Sequence, residues 1–215
     1  TTNSLPAIKL TVNYESSLHK EKTMANDSST GFGLRPLRKV GQTDNNAGLS
    51  EYKVASAAAA IYHQELVQMQ ATGYILSAGA GGAYLLGSLN GAFYTDPTTS
   101  KPTWSSYAPQ VTTSDPYTAL VNDDPHQMFE MMTLRTDYTD PGSVGATADI
   151  VVGTGATTSP FYSANTLAAV ATAADTQMKV LGLTRDTGHQ DVSVAGSVWR
   201  VMINEHLLGN NSLGI

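Results

Sequence analysis

Ser197-Val198-Trp199-Arg200-Val201-Met202-Ile203-Asn204-Glu205-His206-Leu207 decides the fold class. Trp199, Val201, Ile203 and Leu207 fall on one side of an extended chain, and Arg200, Asn204 and His206 on the other. A period of two marks a strand with one face turned to a core, because successive side chains of a strand point to opposite sides.

The same reading extends upstream. Met178-Lys179-Val180-Leu181-Gly182-Leu183 is a second closing strand, and 148–152 a short one. Residues 127–134 set Phe129, Met131 and Thr133 against Met128, Glu130 and Met132. Asn122-Asp123-Asp124-Pro125, just before them, is a strong turn signal. Residues 84–94 are apolar and contain Gly87 and Gly91, as in a kinked or bulged strand. Residues 74–76 form a short strand, 66–69 alternate, and 95–102 are a turn-rich insertion with Asp96-Pro97. From Tyr52 the pattern becomes β-like, although the Ala-rich 52–62 could be read as helical on propensity alone. Residues 164–174 are Ala-rich with Asn165 as a candidate N-cap, and one short helix is expected there. The expectation is a mainly β protein: a small β-barrel or sandwich body with an extended N-terminal arm and at most one or two short helices. The arm is 1–50 and the body 51–215, with β blocks at about 51–115 and 116–215. A short strand is expected at 8–12, and the chain ends in a Gly/Asn tail at 209–214.

Composition narrows the function. Of 215 residues, 14% are charged, against about 25% in an ordinary soluble domain. The formal net charge of −6 disfavours a whole-chain nucleic-acid binder, and no nucleic acid is expected as a partner. There is no cysteine, which removes disulfides, thiolate metal sites and cysteine nucleophiles together. No apolar run approaches the ~20 residues of a membrane helix, so no membrane partner is expected. Residues 1–23 are polar and lack the apolar stretch of a signal peptide. Met24-Ala25-Asn26 reads as a natural translation start, which makes 1–23 a candidate upstream extension.

The chemistry-bearing residues point away from an enzyme. The histidines at 19, 63, 126, 189 and 206 make no metal-ligand pair at helix or strand spacing. His126 beside Asp123 and Asp124 fits turn chemistry better than a metal seat. Adjacent carboxylates on an extended chain point apart and do not share a proton. Gly79-Ala80-Gly81-Gly82 and Gly153-Thr154-Gly155 match neither phosphate-binding spacing, and no GxSxG elbow occurs. No catalytic residue, metal or cofactor is expected. Met128, Met131 and Met132 read as core or interface filling. Trp104 and Tyr107 are placed in a loop, where packing is favoured over sugar binding.

Residues 31–39 stand out. Pro36 keeps Arg35 out of the α region, and Gly31 and Gly33 allow unusual backbone angles around Phe32. Three cations, Arg35, Arg38 and Lys39, lie within five residues of an acidic chain. The segment Phe32-Gly33-Leu34-Arg35-Pro36-Leu37-Arg38 resembles the FGLRPVR-like opening of cement (decoration) proteins of tailed phages, podoviruses of marine and cyanobacterial hosts especially. Tyr52-Lys53-Val54-Ala55-Ser56, Asp123-Asp124-Pro125, Phe129-Glu130, Met178-Lys179-Val180-Leu181-Gly182-Leu183 and Ile203-Asn204-Glu205-His206 match further segments of that family in order. His63-Gln64-Glu65-Leu66-Val67 departs from the family's Gly-Asp-Pro-Val entry.

The resemblance implies a non-enzymatic virion protein on the outer surface of an expanded icosahedral phage head. It implies the major capsid protein as partner, and a homotrimer at three-fold and quasi-three-fold positions. The arm is then expected to touch the capsid, Phe32 and Leu34 filling apolar pockets while Arg35, Arg38 and Lys39 meet acidic groups. Another virion protein (tail, collar or head fibre) and a glycan-binding β module are the rival readings.

Overall fold

Burial alternates along Ser50–Val54, Tyr117–Asn122 and Met178–Leu183, whereas Gln127–Thr133 is buried along its whole length. In a computed structural model, which describes residues 26–27, 30–41, 48–110, 117–172 and 176–209, thirteen strands carry the described chain. They are β1 (Arg35–Lys39), β2 (Ser50–Val54), β3 (Leu66–Met69), β4 (Tyr74–Ser77), β5 (Leu85–Thr95), β6 (Pro102–Ser105) and β7 (Tyr117–Asn122). After these come β8 (Gln127–Thr133), β9 (Thr147–Ala148), β10 (Ile150–Val151), β11 (Thr166–Leu167), β12 (Met178–Leu183) and β13 (Ser197–Ile203).

The first sheet runs β3-β4-β2-β7-β5-β6, with β3 also bonded to β5. Those pairings close a five-stranded barrel, β3-β4-β2-β7-β5, and leave β6 as a flap. β5 is long enough to serve both: its first half pairs with β3 and its last four residues with β6. Irregular register near Gly87 and Gly91 bends it as the sequence leads one to expect. The second sheet runs β10-β11-β8-β13-β12-β9, with β1 on β8 as well. Its end strands β9 and β10 are separated in the chain by Asp149 alone, so this barrel is nearly closed. The protein is mainly β, as its sequence indicates. The change of sheet falls after Asn122, because β7 pairs with β2 and β5; β7 therefore belongs with the earlier strands rather than with a block opening at 116.

Each barrel has a core. Val54, Ile61, Val67, Ile75, Leu86, Leu89 and Val121 fill the first. Phe129, Met131, Val180, Trp199, Val201 and Ile203 fill the second, where Trp199 is fully buried against Tyr138 at 5.4 Å. Leu66 and Leu85 of the first sheet join this second core. Polar bonds tie the same joint: Gln177 Nε2 donates to the carbonyls of Gly79 (2.8 Å) and Gly82 (3.2 Å), and Leu207 N donates to Leu85 O (2.7 Å).

Residues 52–62 form no helix, in keeping with the β-like pattern from Tyr52: Val54 is buried in β2, and Ala57 turns the chain with φ 58. Two expectations are corrected. The helix expected over 164–174 is replaced by β11, and Asn165 accepts from Gly153 N at 3.1 Å instead of capping a helix. Tertiary pairing overrides Ala propensity at both places. The helical element among the described residues is one 3-10 turn, Thr187–His189, capped by Asp186. The arm is not free over its described C-terminal part, since 35–39 are β1. The strand expected at 8–12, the extension 1–23, residues 173–175 of the expected helix and the tail from 210 onward lie outside the described residues.

Candidate functional site

The cationic segment is built into the second barrel. Leu34 is fully buried in its core, and Leu34 N donates to Gln64 O at 2.7 Å. Gly33 has no unusual backbone angle. It is glycine because a Cβ there would collide with the Gln64 carbonyl and the Ser163 side chain. β1 then runs antiparallel to β8, setting Arg35 opposite Glu130. Gln127, fully buried, holds the β1 backbone by donating from Nε2 to Leu37 O at 3.0 Å.

Glu130 is the centre of this arrangement. Arg35 Nε donates to Glu130 Oε2 at 3.0 Å, and Arg35 Nη2 reaches the same oxygen. Thr184 Oγ1 donates to Glu130 Oε1 at 2.6 Å. The carboxylate is therefore buried but satisfied on both oxygens, which is what makes a buried charge tolerable. Arg35 also lies over the Phe32 ring, 5.2 Å from its centroid. On the far side of β8, Arg200 pairs in register with Glu130 and donates to Leu183 O at 3.1 Å. Lys39 forms an ion pair with Asp124. Burial pushes the Asp124 carboxyl up, but Lys39 and the His126 N–H outweigh it and hold the group below the usual carboxylate range.

Three of the five side chains expected to reach for a partner are engaged within the chain instead. Leu34 is inside, Arg35 and Lys39 are paired within the chain, and Phe32 is half-buried under Arg35. Arg38, half-buried, is the cation of the segment with no ion-pair partner among the described residues. Glu130 carried a signal that was missed: a carboxylate between Met128 and Met132 on one strand face needs a cation close by.

The remaining candidates disperse. Asp123 accepts from Tyr52 Oη at 2.6 Å; burial, then that bond, then the carboxylate charge hold the phenol well above its usual range. No three acidic or histidine side chains come together to hold a metal ion among the described residues. Glu65 is buried, accepting from Ser77 Oγ (2.7 Å) and Tyr62 N (2.6 Å). Burial raises its carboxyl, and the two bonds oppose the rise. His206 is buried where the chain crosses back to the first barrel, its Nδ1 accepting from Leu208 N at 3.1 Å and its Nε2 unpartnered. Burial lowers its basicity against the weaker pull of the Leu86 backbone and of Asp123 and Asp124. Met131 and Met132 are fully buried and Met128 nearly so. Trp104 is on strand β6, not in a loop, and Tyr107 stacks on Phe161 at 4.1 Å.

No helix among the described residues is long and apolar enough to cross a membrane. Comparison with protein-family models, with curated proteins and with solved structures finds no match.

Proposed function

We propose that the chain is a non-enzymatic cement (decoration) protein. It binds the outer surface of an expanded icosahedral phage head, as a trimer at three-fold and quasi-three-fold positions, and stabilises the major capsid protein lattice. One observation supports this reading over a chance likeness of short motifs. Most of the segments that carry the resemblance lie far apart in sequence yet meet in one sheet. Phe32–Arg38 leads into β1, Phe129-Glu130 lies on β8, Leu181-Gly182-Leu183 on β12 and Ile203 ends β13. Asp124 of the Asp-Asp-Pro turn pairs with Lys39 at the end of β1. Matches falling at random would have no reason to share hydrogen bonds.

Low charge and half-exposed apolar side chains suit a body that meets other protein surfaces. On the second barrel Val144, Val151 and Val152 are each close to half exposed. Many copies, each weakly held, stabilise a shell by mass action because they bind the assembled lattice and not free subunits.

The test is quantitative mass spectrometry of purified, DNA-filled particles, with copies counted against the major capsid protein. A ratio near one per capsid subunit is the expected result. A few per cent would move the protein to the tail or collar, and absence from the particle would overturn the structural reading.

A further inference from the structure

We infer that the outer wall of the first barrel carries a sugar-binding platform, centred on Trp104 and Phe93. This does not depend on the capsid reading. Phe93 on β5 and Trp104 on β6 are cross-strand partners, their rings 4.6 Å apart and tilted by 49°. They are 53% and 43% exposed, on a wall whose opposite face packs the core through Ala92 and Ala119.

Gly91 makes the arrangement possible. A Cβ there would lie on atoms Cζ2 and Cη2 of the indole, so the ring rests across bare backbone. The same outer row continues to Thr118 on β7 and Lys53 on β2, in register with Phe93 and with each other. Lys53 Nζ donates to Thr118 Oγ1 at 2.7 Å, which brings an ammonium and a hydroxyl to the border of the aromatic pair. The indole N–H of Trp104 has no partner among the described residues.

Size and chemistry choose the occupant. A fully covered aromatic side chain buries about 150–250 Å². Two half-exposed rings therefore offer on the order of 200 Å², far below the ~800 Å² a side of a stable protein interface. The chain's net charge of −6 opposes nucleic acid. A pyranose ring fits: its C–H face is drawn to the negative face of an aromatic ring, while its hydroxyls meet Lys53, Thr118 and the indole N–H.

The full chain is probed on an array of neutral, N-acetylated and acidic oligosaccharides. The brightest is then titrated while tryptophan emission is followed. Binding should change the emission of exposed Trp104, with buried Trp199 as the constant background. Phe93→Ala and Trp104→Ala should each weaken binding about ten-fold or more, Trp104→Phe should recover part of it, and Lys53→Met should weaken it less. Far-ultraviolet circular dichroism and Trp199 emission establish that the variants are folded. No oligosaccharide bound above the level of the Phe93→Ala/Trp104→Ala double variant overturns the platform, as does undiminished binding by that variant. Neither result touches the particle copy number, so the two proposals fail separately.

Discussion

Leu34→Ala separates a docked segment from a free arm. Leu34 is fully buried in the cluster that holds Phe129, Trp199 and Val201. Truncating a buried leucine removes the transfer energy of three carbons and leaves a partly relaxed cavity, together about 2–5 kcal/mol. About 3 kcal/mol is expected here, because Leu34 N stays bonded to Gln64 O and β1 stays paired to β8. For a chain of 150–250 residues each kcal/mol moves the melting midpoint by about 2–4 °C, so the variant should melt about 6–12 °C lower. Equilibrium urea unfolding followed by Trp199 emission reads the same core directly. Arg38→Ala is the control and should stay within about 0.5 kcal/mol of the parent. A Leu34→Ala loss below about 0.5 kcal/mol would refute the docking of 31–39 into the barrel and return the segment to the solvent.

Three further outcomes follow from the buried charges. Arg35→Gln should lower stability by about 1–2 kcal/mol, less than for a fully buried pair, because Arg35 is half exposed and Thr184 still serves Glu130. The loss should largely vanish in the Glu130→Gln background, measured as a double-mutant cycle in urea. Glu65 holds its proton more tightly folded than unfolded, so its contribution to stability is largest at low pH and is lost as pH rises through its raised folded value. Glu65→Gln keeps both hydrogen bonds, accepting from Tyr62 and donating to Ser77. It should flatten that dependence and be neutral to stabilising at pH 8; a marked loss at pH 8 would contradict this. His206 behaves in the opposite sense. Its folded form resists protonation, so stability should fall as pH drops below about 6.5, the ordinary histidine value. His206→Asn should remove that slope in thermal melts taken from pH 8 to 5.

The fold class was legible because its signals are local. The alternation in 197–207, the turn at 122–125 and the glycines in 84–94 each report on a few neighbouring residues, and β13, the β7–β8 turn and bulged β5 followed. The errors arose where a distant partner decides. Residues 164–174 have helical composition, yet Thr166 and Leu167 serve as rungs between β10 and β8. Residues 35–39 look like a solvated cationic run until β8 supplies Glu130. The candidate site shared this fate. Its cations were visible, but their partners lie as far as 95 residues away, a separation no periodicity records. Trp104 was noticed as an aromatic, while its pairing with Phe93 and its seat on Gly91 depend on β6 folding back along β5.

The segment 31–39 also shows what a shared motif encodes. Leu34 fills a core, Arg35 neutralises Glu130, Pro36 sits in β1 where a missing N–H is tolerable at a sheet edge, and Lys39 closes onto Asp124. Each of these tasks is internal. A motif so occupied preserves the shape of the barrel. If the protein cements a lattice, the contacting atoms therefore belong to side chains with no task inside the fold. Val144, Val151 and Val152 are such residues, and Arg38 is the cation of β1 in the same position. Val151→Asp together with Val152→Asp should leave melting nearly unchanged, since both are about half exposed, while abolishing attachment to expanded heads in a sedimentation assay. Undiminished attachment would place the contact on another face. A large fall in melting temperature would show instead that these valines support the sheet.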